Sequence, residues 1–299
     1  MTDAVPTMRR IDAHHHLWDL SARPQSWIVG REMDPLRRDF GVADLAAAVD
    51  GSDVGATIVV QAVPDIAETE ELLDLAAREP LIGGVVGWVD IAAADVGDQL
   101  DRLQSRASGR CLVGVRSMVQ YEPDPNWLSR PEVLHGLRAV ADRGLVHDLL
   151  ISSHQIDAAV AATRTVSDGT FVIDHLAKPN IAAAAWEPWA TGLTALARCP
   201  NVAAKMSGLV TESDWAAWTI EQLRPYTDHA VDAFGPARLL FGSDWPVCTL
   251  AASYDRVVES IEVVTGALTP TEQAAVFGGN AARVYLLDGT PLGHTIGAP

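Results

Sequence analysis

Cysteine is scarce in this chain of 299 residues, which has only Cys111, Cys199 and Cys248. They make no CxxC or zinc-ribbon spacing, and an odd number does not build a disulfide framework. A reducing cytoplasm is the expected setting. Positive charge is scarce as well. Lys and Arg number 22 against 39 Asp and Glu, a formal net charge of −17. Nucleic acid and anionic membrane both ask for clustered positive charge, so neither is an expected partner. Long apolar runs are missing too. Those present are short or broken by charge, so no membrane span is expected. Met1 to Arg10 lacks the apolar stretch of a secretory signal, so none is expected there. Linkers rich in Pro, Gly and Ser are also missing. The chain therefore reads as one domain over 1–299, with a core from about 10 to 286 and a loose tail after Leu287.

What is present is alternation of β-rich runs with Ala- and Leu-rich helical stretches. The runs are Ile11–His16, Thr57–Gln61, Leu81–Asp90, Leu112–Met118, Leu145–Ser152, Thr170–His175, Asn201–Met206 and Arg238–Asp244. Helical patterns follow around Glu68–Arg78, Val96–Ser105, Pro131–Ala141, Ile156–Val166, Ala252–Val264 and Pro270–Tyr285. Strands alternating with helices imply parallel βαβ units, and eight units in about 250 residues is the size of a TIM barrel. An open doubly wound sheet usually carries a glycine-rich phosphate loop after its first strand. Here that strand ends His14-His15-His16 instead, so the expected fold is α/β, a single (β/α)₈ TIM barrel.

In such a barrel the site lies at the C-terminal strand ends, and those ends are polar. Alternation puts His14 and His16 on one face and His15 on the other. Two inward imidazoles can share a metal or polarise a carbonyl; they can equally be hydrogen-bonded core histidines. Strand six ends in Asp174-His175 and strand eight in Ser243-Asp244, where His175 and Asp244 either complete a His/His/His/Asp set or cap the next element. Arg116 and Lys205 follow small apolar residues on strands four and seven. A cation there needs an anion, which is either substrate or a structural partner such as Asp148 or Asp90. Trp88 and Asp90 end strand three, a pairing that suits a sugar, with the alternative of a core Trp whose indole is satisfied. Gln61 ends strand two with the same two readings, and of His147 and Asp148 on strand five only one points inward, with Asp148 favoured. Trp18, Trp27 and Trp245 sit where they would roof the mouth, while His154 lies beyond its strand and is set aside.

Ile11-Asp12-Ala13-His14-His15-His16-Leu17-Trp18 resembles the opening motif of the amidohydrolase superfamily, in the branch of fuconolactonases, related sugar lactonases and 2-pyrone-4,6-dicarboxylate lactonase. Gly87 to Asp90, Gly114 to Arg116, Asp174 to Pro179, Lys205 to Leu209 and Phe241 to Pro246 agree with that branch in order, over about Arg10 to Leu286. The resemblance implies opening of an aldonolactone such as L-fuconolactone by water, with Asp244 as general base and His14, His16 and His175 facing inward. It also implies that Arg116 and Lys205 face the substrate. The branch commonly has an aromatic where His147 precedes Asp148 here. The superfamily's binuclear members bridge two ions with a strand carboxylate or carboxylated Lys, commonly on strand four. Arg116 stands there and cannot ligate. The expectation is therefore at most one divalent ion, zinc, on His14, His16, His175 and Asp244, in a site that does not depend on it. Rival readings are a metal-dependent decarboxylase of the same superfamily and a non-catalytic sugar-binding barrel.

Overall fold

The computed structural model describes residues 10–287. The expected loose tail, and the segment before Arg10, lie outside the described residues. Eight strands form one sheet in chain order, every neighbouring pair parallel. They are β1 (Arg10–His15), β2 (Val54–Val60), β3 (Ile82–Gly87), β4 (Leu112–Ser117), β5 (Val146–Leu149), β6 (Thr170–Ile173), β7 (Val202–Met206) and β8 (Leu239–Phe241). Parallel neighbours need long crossovers, and helices supply them. These are α1 (Val42–Val49), α2 (Ile66–Ala76), α3 (Val96–Gln104), α4 (Pro131–Ala141), α5 (Ile156–Thr165), α6 (Trp189–Ala197), α7 (Ile220–Phe234) and α8 (Tyr254–Val264), with α9 (Pro270–Ala274) and α10 (Asn280–Val284) after the last strand. The ring closes just past β8. Asp244 N donates to His14 O at 2.8 Å, and His16 N to Trp245 O at 2.7 Å. The fold is the (β/α)₈ barrel that the alternation predicts.

Strands buried on both faces explain why their sequences are nearly continuous Val, Ile, Leu and Ala. One apolar core, with Leu73, Leu100, Leu137 and Leu193, lies between strands and helices. A second fills the lumen, with Ile11, Ile58, Val86, Val172 and Leu240. Tyr285 joins that inner core just after α10. It donates a hydrogen bond at 2.8 Å to Asp148 Oδ1 inside the barrel. Among the described residues, no helix is long and apolar enough to cross a membrane.

Several strands stop earlier than expected. β3 ends at Gly87, so Trp88 and Asp90 belong to the following loop rather than to one strand face. β6 ends at Ile173, before Asp174-His175, and β8 at Phe241, before Ser243-Asp244. The polar strand ends are thus loop starts. Backbone there leaves the ladder to reach neighbouring strands, as the Asp244–His14 bond shows. Helices α1, α6 and α7 had no counterpart in the sequence reading.

Candidate active site

Strand β1 delivers three buried histidines with two destinations. His15 points outward, its Nε2 2.9 Å from Thr57 Oγ1. His14 and His16 point inward, their Nε2 atoms 3.2 Å apart. His16 places Nδ1 2.8 Å from Val60 O. A carbonyl only accepts, so Nδ1 carries the proton and the Nε2 lone pair faces the site. Asp12 ties β1 to the end of β8. It accepts from Ser243 N at 2.8 Å, Ser243 Oγ at 2.6 Å and Tyr254 OH at 3.0 Å. These three bonds brace the turn in which Asp244 takes a left-handed φ of 59°.

The carboxylate of Asp244 is ringed by imidazoles. Its Oδ1 lies 3.5 Å from His16 Nε2, 3.7 Å from His14 Nε2 and 4.0 Å from His175 Nε2. Burial alone would raise its pKa. The surrounding imidazoles, through the influence of His175 foremost and then contact with His16, outweigh burial and hold the carboxyl below the usual carboxylate range. It is therefore ionised at neutral pH. Burial lowers the pKa of His14 and His175, which favours their neutral forms.

His175 reaches the site through an unusual backbone. His175, Leu176, Ala177 and Lys178 all have left-handed φ, between 50° and 59°. Each such residue costs roughly 1–2 kcal/mol. Trp189 Nε1 donates to Leu176 O at 2.6 Å and helps to hold the turn. The turn breaks strand alternation, so Asp174 and His175 both contribute to the site. His175 Nδ1 lies 2.9 Å from Ser207 Oγ.

Asp174 is the residue that sequence reasoning left out of the site. It is fully buried. Its oxygens lie 3.1 Å from Arg116 Nη1, 3.0 Å from Lys205 Nζ and 3.1 Å from His14 Nδ1. Burial works against ionisation, but Lys205, His14 and Arg116 hold its carboxyl well below the ordinary range. The signal was its place beside His175. Alternation would send the two to opposite faces, which is why the pair was not read together.

Lys205 and Asp148 sit deeper. Both are fully buried, and their side chains are ion-paired with each other. Lys205 Nζ also lies 3.2 Å from His14 Nδ1. Lys205 thus stands behind His14 with the structural partner Asp148, and neither lines the cavity. Arg116 does line it. Its Nη2 donates to Gln61 O at 2.5 Å, Nη1 lies 3.4 Å from His14 Nε2, and Nε has no partner among the described residues.

The cavity above these groups measures about 390 Å³ and has His16, Arg116, His175 and Asp244 on its wall, with Trp27, Met118 and Trp215. That volume suits a small ligand. Trp18 and Trp245 lie behind Trp27, in a chain of edge contacts through Phe40. Gln61 is fully buried, and its side-chain amide has no partner among the described residues; only its backbone carbonyl serves the site, by holding Arg116. Trp88 and Asp90 line a neighbouring cavity instead. Lys178 pairs with Glu212, and both residues line the main cavity, unforeseen from sequence.

Among the described residues, two groups have metal-ligand spacing: His14, His16 and Asp244, and His14, Asp174 and His175. The second is already occupied by internal cations, because Asp174 faces Arg116 and Lys205. The first fits a divalent ion, with His16 Nε2 left free by its bond to Val60 and the Asp244 carboxylate ionised.

The amidohydrolase family profile matches residues 11–287. An L-fucono-1,5-lactonase of Burkholderia multivorans is 37% identical over 289 residues, covering 93% of this chain and 96% of its own length. An L-fucono-1,5-lactonase of Burkholderia ambifaria is 35% identical over 283 residues, with the same coverage. A crystal structure of an amidohydrolase from Burkholderia multivorans with bound zinc is 36% identical and superposes with a TM-score of 0.88, covering 93% of this chain and 99% of that one. By profile, sequence and fold alike, the chain belongs to the amidohydrolase family.

Proposed function

We propose that this protein opens an aldonolactone, L-fucono-1,5-lactone foremost, by attack of water on the ring ester. The observation that carries the reading is the ionised Asp244 carboxylate beside Arg116 on the wall of one small cavity, in a chain similar to L-fucono-1,5-lactonases over nearly its whole length. Asp244 takes a proton from water as its oxygen bonds to the lactone carbonyl carbon. The carbonyl oxygen becomes an oxyanion next to the Arg116 guanidinium, whose Nε–H is its free donor. The tetrahedral centre collapses, the bond to the ring oxygen breaks, and Asp244 returns its proton to that oxygen. The product is an open hydroxy acid, which ionises and releases acid.

His175 and His16 orient the carbonyl, and Lys205 acts through His14 by stabilising the Asp174 carboxylate beneath it. The apolar side chains of Trp27, Met118 and Trp215 suit the carbon face of the sugar and its methyl group. His14, His16 and Asp244 would hold one zinc ion, which supplies Lewis acidity when bound. The reaction does not depend on it, because Arg116 already places positive charge at the oxyanion and a lactone is an activated ester. Stripping the protein with a strong chelator should leave lactone opening within a few-fold of its starting rate; loss that added zinc restores would overturn metal independence. The three cysteines are free, which accords with sugar breakdown in a reducing cytoplasm.

A panel of aldonolactones with a pH indicator tests the reading. Among unsubstituted aldonolactones, acid release should be fastest with L-fucono-1,5-lactone. Acid release from no lactone, with carbon dioxide evolved from an aromatic acid instead, would replace this reading with a decarboxylase.

A further inference from the structure

Beside the reactive cavity lies a second one, of about 300 Å³. The two share Trp27, Ala62, Met118 and Tyr121 on their walls. The chain itself walks from one to the other. At the end of β4, Arg116 lines the first cavity, Ser117 the second and Met118 both; after β2, Ala62 lines both, and Val63 and Pro64 the second alone. The second cavity therefore sits over the end of β3, flanked by the loops that hold the reacting groups.

Its wall has a distinct chemistry. Trp88, Trp127 and Tyr121 supply aromatic surface, and Asp90 and Glu122 supply carboxylates. Among the described residues no Lys, Arg or His lines it, whereas the reactive cavity has Arg116, Lys178 and two histidines. An anionic group would meet only like charge there. The indole N–H groups of Trp88 and Trp127 donate to no partner among the described residues, as is also true of Trp186 and Trp245, whereas Trp18, Trp27, Trp189, Trp215 and Trp218 do. Aromatic faces stack on the C–H face of a sugar, carboxylates accept from its hydroxyls, and free indole donors serve its oxygens.

We infer that this second cavity is a subsite for a neutral sugar ring carried by the lactone, so that the protein's preferred substrate is a glycosyl aldonolactone. The inference rests on the lactonase reading, and the geometry limits the attachment. A 6-deoxy-1,5-lactone uses O5 in the ring ester and has a methyl group at C6. Only O2, O3 and O4 remain to carry a second ring.

The three mono-β-D-glucosyl derivatives of L-fucono-1,5-lactone, at O2, O3 and O4, cover those positions. Acid release gives kcat/KM for each and for the plain lactone, with the wild-type chain and with Trp88→Ala and Asp90→Asn. One of the three should exceed the plain lactone at least tenfold, and each variant should lower that ratio at least tenfold. A ratio is insensitive to the fraction of active protein, so a poorly folding variant does not imitate the result. Opening of the plain lactone with none of the three preferred overturns the subsite alone. A preferred derivative whose ratio neither variant changes also overturns it. Opening of none of the four overturns the lactonase reading and the subsite with it.

Discussion

A single carboxylate on the first turn of α2 holds the loop from which two site residues hang. Glu68 Oε2 accepts from Ala62 N at 2.9 Å and Val63 N at 3.1 Å. The residues just before them, Val60 and Gln61, lend their carbonyls to His16 and Arg116. Burial pushes the Glu68 carboxyl up to about 7 from its ordinary 4.5, with the backbone donors and Arg23 working against the rise. A carboxyl that binds its proton more tightly in the folded chain stabilises the fold fully below the unfolded value. That contribution is lost as pH rises through the folded value. Glu68→Gln cannot titrate and keeps an acceptor. Urea unfolding should therefore show the variant gaining on the wild type between pH 5 and pH 8, by up to about 3 kcal/mol. A difference constant across that range would contradict the account. Glu68 drew no attention in the sequence, because it reads as one polar position of an ordinary amphipathic helix.

At the scale of elements, the end of β7 brings the backbone closest to the reacting groups. Gly208 has φ 63°, and a Cβ there would lie 2.5 Å from His175 Nδ1 and 3.1 Å from Asp244 Oδ2. Gly208→Ala must displace one of the two side chains, and it adds the left-handed penalty of roughly 1–2 kcal/mol. The expected outcome is at least a hundredfold loss of kcat/KM with a modest fall in unfolding midpoint. Full activity in a folded variant would show that the His175–Asp244 spacing is irrelevant to turnover. The strands were legible because their both-faces-buried runs are apolar, and α2, α3, α4, α5 and α8 because their stripes are clear. Helix α7 was not, since Pro225 interrupts it, and α1 and α6 are so rich in Ala and other apolar residues that no polar stripe marks them. Element ends were misread wherever polar residues continued a strand-like run. Trp88 and Asp90, taken as strand neighbours, leave the ladder after Gly87 and line the second cavity. Alternation gave His14 and His16 their shared face correctly, and it failed at Asp174-His175, where four left-handed residues suspend it.

The whole molecule explains why the site could be read in outline and not in depth. Closure of the ring brings Asp12 against Ser243 across most of the chain, and it seats Asp148, Lys205 and Asp174 as a line of alternating charges through the lumen. Polarity at strand ends reveals which residues are inward, but a sequence does not tell wall from foundation. Lys205 and Asp148 pair with each other beneath the cavity wall, whereas Arg116 both lines the cavity and pairs with Asp174. Under the proposed lactonase reading, this assembly aims the Asp244 carboxylate at a water molecule. The direct test is acid release from L-fucono-1,5-lactone by the wild type and by Asp244→Asn, each first shown to unfold cooperatively in urea. The account predicts a folded variant whose kcat falls at least about a hundredfold, the scale of a lost general base. A folded Asp244→Asn protein that keeps more than a tenth of the wild-type kcat would contradict it.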